Sequence, residues 1–385
     1  GESSVSSYQS EYFHNNSEIL WKMHEFNKIM EPMPPGIRLL YAQLVENCSY
    51  PLLSTRDVKF IQKRIGDKSY WIRRSQIGQS PREISLGPVT SALTKMVNAE
   101  RKRRKENEPE IKSREQLVKA LIAGGAGTID PVFARILALV ESAGVFTAGG
   151  VMIGSHAFLA YGNMLGYKFP VETSQTADVD LGFLDNIEIG VSRERPNLKQ
   201  IITRSELDFL EVPALDRKAP STSFKMRGRE YKVDILTPMK GATNSRPVLI
   251  PSIKSHATPL RFLDYLIEDA VEAIVVAGPG IKVNVPNPGR FAIHKLVVAR
   301  QRSVSQQIKA GKDLKQAGCI FEILAADRPW DIETAMEAAG RVSGTKFKDA
   351  VKESFDRLEG LDILSKKALA KCLELREEIL MKDNE

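Results

Sequence analysis

Two aspartates stand one residue apart in Thr176-Ala177-Asp178-Val179-Asp180-Leu181. On a strand, residues i and i+2 share a face, so Asp178 and Asp180 project together while Val179 and Leu181 point into a core. Adjacent carboxylates repel, and a cation relieves the repulsion. Mg²⁺ is commonly held by one or two carboxylates together with the phosphates of a substrate. The plainer alternative is an exposed edge strand carrying two solvated aspartates. A third carboxylate lies in Tyr231-Lys232-Val233-Asp234-Ile235-Leu236, where Val233, Ile235 and Leu236 suggest apolar surroundings. An acid in such a strand calls for a metal, a hydrogen-bond partner or a functional role. Three strand-borne aspartates can form a two-metal clamp, in which an in-line displacement on a triphosphate expels pyrophosphate.

Upstream, Gly149-Gly150-Val151-Met152-Ile153-Gly154-Ser155-His156-Ala157 reads as a short strand, a Gly-Ser turn and a helix beginning near Ser155. Gly154 allows close approach of the backbone to a ligand, and Ser155 is placed to cap a helix whose N-terminal N–H groups favour phosphate. Many folds use such a turn for packing alone. Downstream, Asn287-Pro288-Gly289-Arg290 opens a helix that carries Lys295. Arg290 and Lys295 lie about one turn apart, within reach of a triphosphate at the acidic site, or are plain surface charges. His14, His24, His156, His256 and His294 show no His-Glu-x-x-His spacing, so a zinc-hydrolase site is excluded. His156 reads as a packed or capping residue. A Walker A motif and a Gly-x-Gly-x-x-Gly fingerprint are both absent, and Gly278-Pro279-Gly280 reads as a turn between strands.

In their order, Gly154-Ser155, Asp178-Val179-Asp180 and Asp234 resemble the nucleotidyltransferase superfamily that includes polymerase beta. The pattern is most similar to a bacterial nucleotidyltransferase-like group in which Gly-x-His-Ala precedes Thr-x-Asp-x-Asp. The resemblance covers roughly residues 145–325. It implies transfer of a nucleoside monophosphate from an NTP, with two Mg²⁺ ions, to an acceptor hydroxyl or phosphate. Asp178 and Asp180 would hold the metals, Asp234 would complete the nucleophile side as ligand or base, and Gly154 and Ser155 would bind the triphosphate. Relatives often carry a His-Lys helix followed by a Lys-Asp helix, as at His294-Lys295 and Lys312-Asp313, which adds Lys312 to Arg290 and Lys295 as phosphate contacts. The stretch between Ser155 and Asp178 is longer than in many members, so residues 162–175 are expected to form an inserted loop or an extended helix end. Thr173, Ser174 and Thr176 either contact phosphate or end that loop. The acceptor is left open among tRNA, a protein and a small molecule, and a partner protein in a toxin–antitoxin-like pair fits the same resemblance.

The elements that must position these residues follow from periodicity. Helices are expected over about 18–29, 37–45, 54–65, 113–122 and 131–143, with a β-hairpin pairing Tyr70–Arg74 with Arg82–Leu86. Strands are expected at 151–153, 179–184, 223–226, 231–236, 273–276 and 281–285, with Arg227-Gly228-Arg229 as a tight connection. Helices follow over 290–301, 311–324, 332–339, 347–358 and 365–381. This is an α+β chain: a central mixed sheet with helical regions on either side. It divides into an N-terminal region 1–112, a core 113–287 and a helical region 288–385, with Pro109 marking the first boundary.

Among 385 residues, 42% are hydrophobic and 27% charged, as in an ordinary globular chain, and no apolar run approaches the ~20 residues of a membrane span. Gly1-Glu2-Ser3-Ser4 reads as a polar tail or expression scar rather than a signal peptide. Cys48, Cys319 and Cys372 have no paired spacing, which favours a reducing cytoplasm. A net charge of +7 suits polyanionic partners. The run Arg101-Lys102-Arg103-Arg104-Lys105 is either a solvated helix face or a contact for a polyanion such as RNA. With the aromatic hairpin at 70–74, it leaves a second reading open: a non-catalytic RNA- or protein-binding regulator on a degenerate transferase fold.

Overall fold

A computed structural model describes residues 30–49, 58–77, 80–169, 178–184, 195–214, 216, 218–241, 246–342 and 345–358. The expected helices at 18–29 and 365–381, and Thr173, Ser174 and Thr176, lie outside the described residues.

The chain opens with β1 (Glu31–Pro32), α1 (Pro35–Asn47), β2 (Val58–Ile65), β3 (Lys68–Ile77), β4 (Ser80–Pro88) and α2 (Ser91–Ala123). The hairpin is present as β3 and β4, and β2 joins it to make an antiparallel sheet in the order β2-β3-β4. This overturns the expected helix over 54–65. The run Val58-Lys59-Phe60-Ile61 satisfies a helical spacing loosely, but it belongs to a strand that pairs along its whole length with Lys68–Ser75 of β3, with Ile61 opposite Ile72. Pro109, expected to mark the first boundary, lies inside α2, which continues through it. Its ring costs one backbone hydrogen bond, and the ion pairs Lys112–Glu108 (2.7 Å) and Arg114–Glu110 (3.0 Å) hold the flanking turns.

The central part runs α3 (Pro131–Ser142), β5 (Val151–Ile153), α4 (Gly154–Leu165), β6 (Tyr167–Lys168), β7 (Asp178–Gly182), α5 (Leu198–Thr203), β8 (Phe209–Glu211), β9 (Ser223–Met226), β10 (Lys232–Pro238), β11 (Val248–Ile250), β12 (Ser255–Leu260), α6 (Leu263–Ile267), β13 (Val271–Val275) and β14 (Ile281–Val285). A mixed sheet has the order β11-β12-β10-β7-β5. β7 and β12 run parallel to β10, while β5 is antiparallel to β7 and β9 to β10. The turn at Gly228, with φ of 68°, joins β9 to β10. β13 and β14 form a separate antiparallel pair.

The chain then closes with α7 (Pro288–Gln301), α8 (Gln307–Asp327), α9 (Pro329–Gly340) and α10 (Thr345–Arg357). Asn287 caps α7 by accepting from the N–H groups of Gly289 and Arg290. The main core joins one face of the sheet to α3, α4 and α7–α10, with Val179, Leu181, Val233 and Ile235 fully buried in it. A smaller cluster seats α1 and the end of α2 through Tyr41, Leu44, Val118 and Leu121 on Ile274 and Val276. The architecture is α+β with a mixed sheet. None of the described helices is long and apolar enough to cross a membrane.

Candidate active site

The pleat sorts β7 and β10 into two chemistries. Val179 and Leu181, like Val233 and Ile235, turn into the core, and the residues between them turn to the opposite face. In the parallel register Asp234 is the direct partner of Asp180, and Lys232 that of Asp178. Asp178, Asp180 and Asp234 therefore leave the sheet on one side, on adjacent strands. Of the chain neighbours expected to make Asp234's surroundings apolar, Val233 and Ile235 belong to the other face, and Leu236 alone shares its side of the sheet. Ser223 Oγ donates to Asp234 Oδ1 at 2.5 Å, and Lys232 Nζ donates to Oδ2 at 2.9 Å. Sequence reasoning missed both partners. The available signal was Lys-x-Asp on a strand, the same i, i+2 spacing that singled out Asp178 and Asp180.

Asp180 sits between its two acidic neighbours and the turn after β5. Burial first, and then the charges of Asp234 and Asp178, push its carboxyl up to about 7, with Lys295 and Lys232 acting in the opposite direction. Gly154 follows Ile153, which pairs with Asp180 across β5 and β7. A Cβ built on Gly154, whose φ is 68°, would stand 2.7 Å from Asp180 Oδ2. The glycine lets the backbone come close to the acidic cluster itself, a second use for the freedom expected to serve a ligand. Ser155 does not cap α4: Ile153 occupies the N-cap position and makes no side-chain cap bond. Ser155 Oγ instead accepts from Gln316 Nε2 of α8 at 3.4 Å.

His156 is buried edge-on against Phe133, with ring centroids 4.3 Å apart, and interacts with the backbone of Asp178. Burial pulls its imidazole down to about 4, which fits the packed reading.

The candidate phosphate contacts separate in space. Lys295 is buried on α7, donates to Asp313 Oδ1 of α8 at 2.6 Å and contributes to the field at Asp180. Lys312 lies in the same charged group, with burial and the Lys295 charge holding its ammonium below its ordinary value. Arg290 points elsewhere: it donates to Tyr265 O at 2.8 Å, pairs with Glu268 and Asp269, and lies over the Tyr265 ring. Five residues along a helix rotate a side chain by about 140°, so Arg290 and Lys295 leave different faces of α7. The structure brings Lys295, and not Arg290, towards the aspartates.

The basic run also has partners. Arg101 donates to Phe60 O at 2.7 Å and stacks on Trp71. Arg104 pairs with Glu100 at 2.9 Å and stacks on Phe60. Arg103 pairs with Glu100, and Lys102 lies 3.8 Å from Glu106.

Three carboxylates leaving adjacent strands on one side, beside a glycine turn at a helix start and a lysine from a following helix, match the order of a nucleotidyl-transfer site. A family model described as Nucleotidyltransferase matches residues 132–340, more than half of the chain. The chain belongs to this nucleotidyltransferase family. The matched region starts within α3 and ends with α9, so it takes in the three aspartates, Gly154, Ser155, Arg290, Lys295 and Lys312 but not the basic run at 101–105. No curated protein and no solved structure matches this nucleotidyltransferase chain at a significant level.

The donor set suits a hard divalent cation: three carboxylates, one of them raised to about 7 by burial and by the other two. Among the described residues, no three acidic, histidine or cysteine side chains are already gathered as a metal cage. The Asp234 carboxylate is held by Ser223 and Lys232.

Proposed function

We propose that the chain transfers a nucleoside monophosphate from an NTP to an acceptor hydroxyl or phosphate, with release of pyrophosphate and dependence on Mg²⁺. The observation that carries this reading is the parallel register that sets Asp180 beside Asp234, with Asp178 on the same face, inside the region matched by the nucleotidyltransferase family.

Asp178, Asp180 and Asp234 would hold the metal, two ions being the expected complement. Bound there, Mg²⁺ neutralises triphosphate charge and lowers the pKa of an attacking hydroxyl. The chain's own groups do the rest. Lys295, fixed by Asp313, and Lys312 supply positive charge on the helix side of the site for the β- and γ-phosphates. The start of α4, at Gly154 and Ser155, offers backbone N–H groups and the positive end of the helix. Asp234, held in the metal-free protein by Ser223 and Lys232, would complete the nucleophile side as metal ligand or base. Arg290 falls outside this proposal because of its partners on α6 and beyond. The three arginines of the basic run are engaged with their own helix and sheet, so the RNA-binding regulator gains no support from them.

The test is to incubate the protein with each α-labelled NTP, Mg²⁺ and, in turn, total RNA, total protein and a small-molecule pool. Label transfer and pyrophosphate should appear with the unaltered protein and vanish with Asp180→Asn. No Asp180-dependent transfer with any NTP would overturn the reading.

A further inference from the structure

The face that carries the aspartates carries a cation of its own. Lys232 is the cross-strand partner of Asp178 on one side and of Lys225 in β9 on the other, so strand pairing fixes its backbone from both edges. By alternation its side chain leaves β10 on the same face as Asp234. Its Nζ lies 2.9 Å from Oδ2 and 2.9 Å from Oδ1 of Asp234, and its charge is felt at Asp180. The ammonium therefore engages both of the oxygens that Asp234 can offer a metal. The Asp234 side chain is 17% exposed while that of Lys232 is 34% exposed. The carboxylate is thus fixed in place, whereas the lysine head can swing towards solvent on its flexible stem without disturbing the core.

We propose that Lys232 is an internal counter-cation that competes with the divalent metal for Asp234, so that metal binds the nucleotide-free protein weakly and enters together with the nucleoside triphosphate. The inference rests on the metal-dependent reading above. A metal arriving alone must break the Lys232–Asp234 pair and leave an ammonium beside a newly bound divalent charge. A metal arriving with a triphosphate brings anionic oxygens that give the displaced ammonium a new partner. Lys232 thereby couples the two binding events, and it acts through Asp234 as a positioning residue.

Mn²⁺ binding to the full chain tests this, followed by electron paramagnetic resonance with and without the α,β-methylene analogues of ATP, GTP, CTP and UTP in turn. Lys232→Met should strengthen Mn²⁺ binding to the nucleotide-free protein by up to roughly fivefold. It should also shrink the factor by which an analogue tightens Mn²⁺ binding. Lys232→Arg, which keeps the charge, should stay close to the unaltered protein. Should Lys232→Met fail to give a folded circular-dichroism spectrum, Lys232→Gln carries the same comparison. Unchanged Mn²⁺ affinity in the neutral variants, with binding still abolished by Asp180→Asn, would overturn the counter-cation role and leave the transferase reading standing. Absence of Mn²⁺ binding in every variant, with and without analogue, would overturn the metal-dependent reading and this inference with it.

Discussion

Between about pH 4 and 7 the folded chain binds a proton at Asp180 that the unfolded chain does not, because burial and two like charges raise this carboxyl to about 7. A raised carboxyl makes the folded state the stronger proton binder in that window, so stability falls as pH rises through it, by up to about 1.4 kcal/mol per pH unit. Asp180→Asn removes the titration. Urea unfolding without metal should show the unaltered protein less stable at pH 8 than at pH 5 and the variant with a flatter profile. Mg²⁺ added together with an α,β-methylene NTP analogue should recover stability at pH 8 only in the unaltered protein. Gly154→Ala brings a Cβ to 2.7 Å from Asp180 Oδ2 at a φ of 68°. It should lower stability by about 1–3 kcal/mol in the same unfolding assay and depress transfer by shifting the carboxylate. The Asp-x-Asp spacing was legible in the sequence because strand alternation is a local rule. The partners of Asp234 were less legible, since only a pairing partner shows that Ser223 faces it.

At the scale of elements, α7 and α8 are joined through a buried charge network. Lys295 Nζ donates to Asp313 Oδ1 at 2.6 Å, and Arg302 Nε donates to Oδ2 at 3.1 Å. Removing one member of a buried pair leaves the other uncompensated, so Asp313→Ala should destabilise by about 3–5 kcal/mol in denaturant unfolding. Lys295→Met combined with Asp313→Leu should recover most of that loss while still weakening nucleotide binding, which separates the structural duty of Lys295 from its phosphate duty. The sequence placed the strands at 151–153, 223–226 and 281–285 on the residues where β5, β9 and β14 occur, because short apolar or alternating runs bounded by Gly or polar turns are local signals. β8, β11 and β12 were not read. Phe209-Leu210-Glu211 and Val248-Leu249-Ile250 are three residues long, and β12 carries Pro259, so their strand character comes from partners distant in the chain. The capping expected of Ser155 failed because β5 runs directly into α4, leaving Ile153 in the cap position.

Across the whole molecule, the N-terminal elements meet the transferase core through the antiparallel pairing of β1 with β6 and through two sets of side-chain contacts. Tyr41 Oη accepts from Ile274 N at 3.1 Å and donates to Ile274 O at 3.2 Å, within the small apolar cluster. Arg73 of β3 pairs with Glu206 at 2.5 Å, between α5 and β8. The β2-β3-β4 sheet is in turn clasped by α2 through Arg101, on Phe60 O and the Trp71 ring, and Arg104, on the Phe60 ring. A basic run that reads in sequence as a solvated face or a polyanion contact thus uses two of its arginines to hold a sheet. Substituting both, Arg101→Ala with Arg104→Ala, should speed amide hydrogen exchange in β2–β4 while exchange in β7 and β10 and the affinity for NTP stay unchanged. RNA binding measured across salt concentrations supplies the opposing outcome. If exchange in the sheet is unaltered and the salt slope instead drops by roughly 0.7 for each lost contact to a single strand, the run serves the acceptor. A large anionic acceptor would then be favoured over a small molecule.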